Sequence, residues 1–207
     1  MSNTRKFLLA SSLFALSAAA QAQVIFSDNF DANTQGLNLV PTGWSVTAGT
    51  VDIIGDPSFF NFIPGSGQFI DLDGSTGDAG ILSKSLLLNA GTQYTASFQL
   101  AGNHRTGDLE TVTGILGVGI GNTSNTFSLA QNVGWTNFSL VFTPTTTGAY
   151  VLSFGNGGGD NMGMLLDNVS VSVTSPVPEP ETYAMLLAGL GLLGFAARRR
   201  KLKAAAA

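Results

Sequence analysis

Tyr94-Thr95-Ala96-Ser97-Phe98-Gln99-Leu100 sets apolar and polar residues in strict alternation. A period of two is the period of a β-strand, whose successive side chains point to opposite faces. The stretch therefore predicts a strand that buries Tyr94, Ala96, Phe98 and Leu100 and leaves its other face wet. Phe138, Leu140 and Phe142 repeat the pattern, and so do Tyr150, Leu152 and Phe154. Outward from these three, β-rich runs bounded by Gly, Asn, Asp and Pro predict strands over 24–27, 44–47, 50–54, 68–72, 80–82, 92–100, 111–120, 126–129, 135–142, 149–154 and 164–173. No helical period interrupts residues 23–175, and no internal repeat appears there. Short strands at this density predict an all-β sandwich of the jelly-roll type.

Composition agrees. Of 207 residues, 44% are hydrophobic and 26 are glycine, enough apolar mass for a core and enough glycine for tight turns. Seven of the nine basic residues lie at the chain ends, and residues 23–176 keep only Lys84 and Arg105 against eleven acids. Such a segment repels nucleic acid and anionic membrane surfaces and attracts divalent cations. The absence of cysteine excludes disulfides, zinc–thiolate sites and thiol catalysis.

The two ends read as addresses. In residues 1–22, Arg5 and Lys6 precede a short apolar stretch from Phe7 to Ala20, and Ala20-Gln21-Ala22 offers the small–x–small pattern that signal peptidase cuts. The mature chain is expected to begin at Gln23, outside the cytoplasm. The alternative is an uncleaved anchor. Residues 176–203 have three parts: a stiff acidic spacer around Pro178-Glu179-Pro180, an unbroken apolar run of 14 residues from Ala184 to Ala197, and a basic cluster over 198–203 that opens with Arg198, Arg199 and Arg200. Each proline fixes φ and disfavours helix in the residue before it. A 14-residue helix is about 21 Å long, short for a hydrocarbon core of about 30 Å. Tyr183 at one interface and snorkelling arginines at the other extend its reach, which predicts one short transmembrane helix with a cytoplasmic basic end.

Pro178-Glu179-Pro180, Thr182-Tyr183-Ala184, the glycine-containing apolar run and Arg198 to Arg200 together resemble the PEP-CTERM sorting signal of Gram-negative bacteria. That resemblance implies recognition and cutting near Pro-Glu-Pro by an exosortase, a membrane-embedded transpeptidase. It also implies a transient stay in the inner membrane, a final place at the cell surface or in an extracellular matrix, and an association with exopolysaccharide and biofilm. An ordinary single-span anchor is the alternative.

Residues 23–175 resemble choice-of-anchor jelly-roll domains and, more distantly, carbohydrate-binding modules of families 4 and 22. The carrying segments are Asp28-Asn29-Phe30-Asp31, Gly43-Trp44, Phe69-Ile70-Asp71-Leu72-Asp73-Gly74, the stretch from Tyr94 to Asn103, and Leu166-Asp167-Asn168-Val169-Ser170-Val171. The resemblance implies a galactose-binding-like sandwich, with a structural calcium that maps onto Asp31 and Asp167 and, less directly, Asp28. The alternation Leu165, Asp167, Val169, Val171 places Asp167 at the margin of the buried face, where a carboxylate needs donors or a metal. Calcium takes six to eight oxygens and suits such a site. Backbone N–H donors at a strand end are the other reading.

Asp71, Asp73 and Asp78 lie in a Gly-rich segment that lacks the spacing of a helix–loop–helix calcium loop and reads as a turn. Phe59, Phe60 and Phe62 cluster between Pro57 and Pro64 and form either an exposed patch for a ligand or a plug over one end of the sandwich. Asn103, in a polar loop after a strong strand, is a further ligand candidate, and a solvated turn is its plainer reading. Trp44 and Trp135 read as core. His104 is the only histidine, and no Gly-x-Ser-x-Gly elbow, His-Glu-x-x-His motif or phosphate loop is present, so no catalytic residue is assigned. The expectation is a non-enzymatic surface or matrix protein whose sandwich binds polysaccharide. A purely structural adhesive protein and, behind it, a hydrolase are the alternatives.

Overall fold

The computed structural model describes residues 22–57, 60–105, 109–117, 123–157, 160–173 and 180–204. Residues Ala22–Ser175 form one compact unit, and the C-terminal segment from Pro176 belongs to another. Residues 1–21 of the expected signal peptide, Phe59, Pro178 and Glu179 lie outside the described residues.

The sandwich unit contains β1 (Gln23–Asp28), β2 (Ser45–Val46), β3 (Asp52–Gly55), β4 (Gln68–Asp71), β5 (Ile81–Leu88), β6 (Tyr94–Ala101), β7 (Leu109–Gly117), β8 (Thr123–Ala130), β9 (Thr136–Phe142), β10 (Gly148–Asn156) and β11 (Leu165–Val173). One sheet runs β3-β4-β11-β6-β9, with β1 also paired to β11. The other runs β2-β5-β10-β7-β8. Every pairing between these strands is antiparallel. Strand β11 is shared along its length: Leu165 and Leu166 pair with β4, and Val169 to Val173 pair with β1. The two chain ends of the domain thus lie side by side.

Each expected strand has a counterpart, and the alternation of β6 is observed directly, with Tyr94, Ala96, Phe98 and Leu100 buried. Phe98 is the aromatic hub of the core. Its ring meets Phe127 at 5.4 Å, Phe138 at 6.3 Å and Phe154 at 4.8 Å between centroids. Edge and tilted contacts of this kind add to the area term, because each ring's positive edge meets a negative face. Trp44 is core, as expected. It packs on Phe26, Phe30 and Phe154, and its indole Nε1 donates to Asp28 Oδ2 at 2.8 Å.

Strand β5 is longer than the 80–82 expected. Lys84 interrupts its apolar pattern in sequence, but Leu82, Leu86 and Leu88 are all buried. The ammonium of Lys84 lies 4.7 Å from the Phe26 ring centroid and donates to the Gly43 carbonyl at 2.6 Å, so the position keeps its inward direction while the charge finds an acceptor.

A second apolar cluster lies on the opposite side of the six-stranded sheet. Ile54, Phe69, Ala101 and Leu165 alternate with the core residues Ile53, Ile70, Leu100 and Leu166, so they face outward. Phe62, Ile63 and Trp135 cover them. Trp135 meets Phe69 edge-on at 5.6 Å and donates from Nε1 to Ser66 Oγ at 2.9 Å. Trp135 therefore belongs to this outer cluster rather than to the main core.

The C-terminal unit contributes α1 (Pro180–Ala204). Proline suits a first helical position, because its missing N–H would have no partner there. The guanidinium of Arg199 lies 5.6 Å from the Phe195 ring centroid, one turn earlier. Side chains from Ala184 to Arg199 are exposed, and those of the apolar run point to every side of the helix. Among the described residues no helix is long and apolar enough to cross a membrane.

Candidate functional site

Three acidic side chains come from the two chain ends of the sandwich, and the charges of two of them, Asp28 and Asp31, act on the third, Asp167. Asp28 ends β1, Asp31 follows in the next turn, and Asp167 lies in β11. Asp28 accepts the Phe30 N–H at 2.8 Å on Oδ1 and the Trp44 indole on Oδ2. Those two bonds fix the turn in which Phe30 takes a positive φ of 57° and becomes fully buried. Asp31 is exposed and accepts the Gln68 N–H at 2.8 Å and the Asn29 side-chain amide at 2.6 Å. Gly67 leaves room for it: a Cβ there would lie 2.2 Å from Asp31 Oδ1, and its φ of +72° also favours glycine.

Asp167 corrects the sequence reading. The pairing of β11 slips between Asp167 and Ser170, and Asn168 takes a φ of 49°. This bulge reverses the alternation. Val169 and Val171 face the core, whereas Asp167 sits opposite Gln99 and shares the outer side with Leu165. The carboxylate is nevertheless only 3% exposed. It accepts the Asn168 N–H at 2.6 Å and the Asn168 side-chain amide at 3.1 Å. Burial pushes its pKa up to about 7, with the Asn168 N–H acting against that rise and the nearby charges of Asp31 and Asp28 adding to it.

The buried Oε1 of Gln68, beside Asp31, has no hydrogen-bond partner, although the same amide donates from Nε2 to the Asp31 carbonyl at 3.2 Å. Among the described residues no three acidic, histidine or cysteine side chains converge into a ready cage.

The raised pKa has a consequence for stability. The folded state holds the Asp167 proton more tightly than the unfolded chain, so this contribution is fully present below the ordinary carboxylate pKa and is lost as pH rises through about 7. In EDTA, the melting temperature is expected to be several degrees higher at pH 5 than at pH 8, with the buried Asp71 adding to the slope in the same direction, and Asp167→Asn should remove the share due to Asp167. A slope unchanged by Asp167→Asn would show that Asp167 is not held protonated.

A second buried acid was not anticipated. Asp71, read from sequence as part of a turn, is 2% exposed and pairs with Arg105. Its Oδ1 also accepts the N–H groups of Asp73 at 3.0 Å and Gly163 at 2.9 Å. Burial raises its pKa against the lowering effect of Arg105 and those two donors. Asn103 departs from the expected solvated turn: it is fully buried, and its side chain accepts the Arg105 N–H at 2.8 Å, which shapes the Arg105 loop.

Arg105 also lies over the Phe62 ring at 4.8 Å. Phe62 stacks with Phe60 at 6.0 Å, and Phe60 is 50% exposed. The loop that carries them is tied down by Asp56, whose carboxylate accepts from Asn61, Gly65 and Gly67. The phenylalanine cluster is thus divided: Phe62 belongs to a plug on the outer face of the sheet, and Phe60 stands out from it.

Residues 176–201 match the PEP-CTERM protein-sorting motif. This sorting signal includes the expected Pro178, Glu179, Pro180 and Arg198 to Arg200. No curated protein matches the chain by sequence. Among solved structures, the sandwich is similar to the CBM22-1 xylan-binding domain of Paenibacillus barcinonensis Xyn10C, with a TM-score of 0.50 and 14% identity over 77% of this chain and 99% of that one. The tandem CBM22-1–CBM22-2 domain of the same protein gives a TM-score of 0.51 and 14% identity over 79% of this chain and 48% of that one. The C-terminal family 22 carbohydrate binding module of Clostridium thermocellum Xyn10B gives a TM-score of 0.50 and 14% identity over 75% and 96%. At such identity the likeness speaks to the fold alone: a two-sheet jelly-roll β-sandwich precedes the residues that match the PEP-CTERM protein-sorting motif.

Proposed function

We propose that this chain is an exported surface or matrix protein, cut at its PEP-CTERM tail by an exosortase-type transpeptidase, whose sandwich binds polysaccharide. The tail carries the first half of the reading, because the match to the sorting motif covers its three parts in order. Signal peptidase and the secretion machinery act on residues 1–22. Helix α1 then holds the chain at the inner membrane with Arg198 to Arg200 on the cytoplasmic side. Its apolar run is uniform around the axis, which suits immersion in lipid better than packing on one face of a soluble domain. The run is short, so the hold is temporary, as a cut-and-transfer step requires.

The sugar-binding half is supported by the fold type and by the half-exposed ring of Phe60, stacked beside Phe62. A structural calcium held by Asp31 and Asp167, with Asp28 behind them, belongs to the same proposal. It would neutralise the crowded carboxylates and tie β11 to the turn after β1. A non-catalytic role fits the two most perturbed acids: Asp71 is sealed by Arg105, and Asp167 is covered by Asn168.

The structural, adhesive alternative is favoured by one observation. Trp44, Tyr94 and Tyr150 are all buried, so these large rings are not available to stack on a sugar. A glycan array probed with the protein, with and without calcium, separates the two readings. Binding to at least one polysaccharide is expected, weakened about fivefold by Phe60→Ala, a loss of roughly 1 kcal/mol. No binding under either condition would remove the sugar reading and leave the adhesive one.

A further inference from the structure

Asn137, Gln99 and Asn168 lie on three neighbouring strands of the six-stranded sheet and are bonded into a row across its outer face. Asn168 Nδ2 donates to Gln99 Oε1 at 2.8 Å and to Asp167 Oδ2 at 3.1 Å, and Gln99 Nε2 donates to Asn137 Oδ1 at 3.1 Å. Gln99 sits opposite both Asn137 and Asp167 in register. Asn137 and Asn168 are exposed, and Gln99 is half-buried. We propose that this amide row, with the cleft that continues it between β1 and β11, is the binding strip for an extended, uncharged polysaccharide. The inference rests on the carbohydrate reading above and names the site and ligand class within it.

Four observations converge on this face. The bulge in β11 turns Asn168 outward at a left-handed φ that asparagine tolerates better than most residues, and a bulge that re-aims a side chain is a recurrent device beside binding sites. The cleft has a volume of about 580 Å³ and is lined by Ser27, Asp28, Asn29, Asn168 and Ser170 together with the apolar Ala32 and Val169, so polar and apolar surface both continue onto a fourth strand. Neighbouring strands lie about 4.8 Å apart, close to the rise of one pyranose unit in an extended chain, so successive amides can meet successive sugars. An amide carries two N–H donors and an acceptor with two lone pairs, and the bonds within the row leave capacity unused at Asn137 and Gln99.

Charge sets the ligand class. The basic side chains of the described sandwich are both engaged, Lys84 by Gly43 and the Phe26 ring and Arg105 by Asp71 and the Phe62 ring. Asp28, Asp31 and Asp167 stand at the β11 end of the strip. The amide row itself carries no charged side chain, so a uronate or sulfated chain would find no free basic side chain along it to pair with.

The test is affinity electrophoresis of the full chain in detergent through gels containing soluble mixed-linkage β-glucan, xyloglucan, galactomannan or alginate. At least one neutral polymer should retard the protein, and alginate should not. The double substitution Gln99→Ala with Asn137→Ala should weaken retention about tenfold with melting unchanged, as expected for two lost hydrogen bonds at a wet surface. Retention equal to wild type would move the site elsewhere while leaving the carbohydrate reading intact. Retention by alginate would overturn the ligand class. No retention by any polymer would remove the carbohydrate reading and this strip with it.

Discussion

Replacing Arg105 by alanine is expected to lower the melting temperature of the sandwich by about 6–12 °C. The substitution leaves Asp71, 2% exposed, without its counter-ion. Breaking a buried pair from one side costs about 3 kcal/mol or more, and in a domain of this size 1 kcal/mol is worth about 2–4 °C. Two further losses act in the same direction: the guanidinium no longer covers Phe62, and the loop after β6 loses its tie to β4. The effect should depend on pH. Without Arg105 the Asp71 carboxyl prefers its neutral form still more, so the cost is largest above about pH 8 and shrinks as the group takes up a proton at lower pH. Thermal melts of Arg105→Ala and of the double variant Asp71→Asn with Arg105→Met check this, and the double variant should recover most of the loss. A single-variant cost below about 1 kcal/mol would place the pair among exposed, weak ion pairs.

The second large effect concerns the tail. Changing Arg198, Arg199 and Arg200 together to alanine should reduce the processed form at the cell surface by about tenfold. Each arginine resists transfer into lipid by about 2.5–3.5 kcal/mol, so on the proposed function the cluster would stop an apolar run of only 14 residues from slipping through or out of the bilayer. Phe195 and Arg199 lie one turn apart and bring a ring and a charge together at the end of that run. Immunoblots of membrane, surface and medium fractions read the result. Normal amounts of the processed form in the triple variant would show that the basic stop is dispensable.

The strands were legible because a half-buried sheet imposes a period of two, and β6, β9 and β10 display it without interruption. Reading failed where one residue broke that period. Lys84 hid the second half of β5, because a lysine on an apolar face looks like an end when its acceptor, Gly43, is 41 residues away. Asn168 hid the true face of Asp167, because one bulged residue inverts every position before it. The effect of the Asp31 and Asp28 charges on Asp167 follows from the pairing of β1 with β11. The Asp71–Arg105 pair and the amide row were beyond reach. Their members are separated by 34 to 69 residues, and only the strand register brings them together. A positive φ at Asn168 leaves no clear mark in sequence beyond the residue type.

The account depends on a folded β cargo carried outside the cytoplasm on a removable tail. Intact-mass measurement of the native protein, taken from the surface or medium of its own cells, tests this most directly. The predicted mass belongs to a chain that begins at Gln23 and ends near Pro178–Pro180, without Arg198 to Arg200 apart from any transferred group. A mass that includes every residue through Ala207 would contradict it.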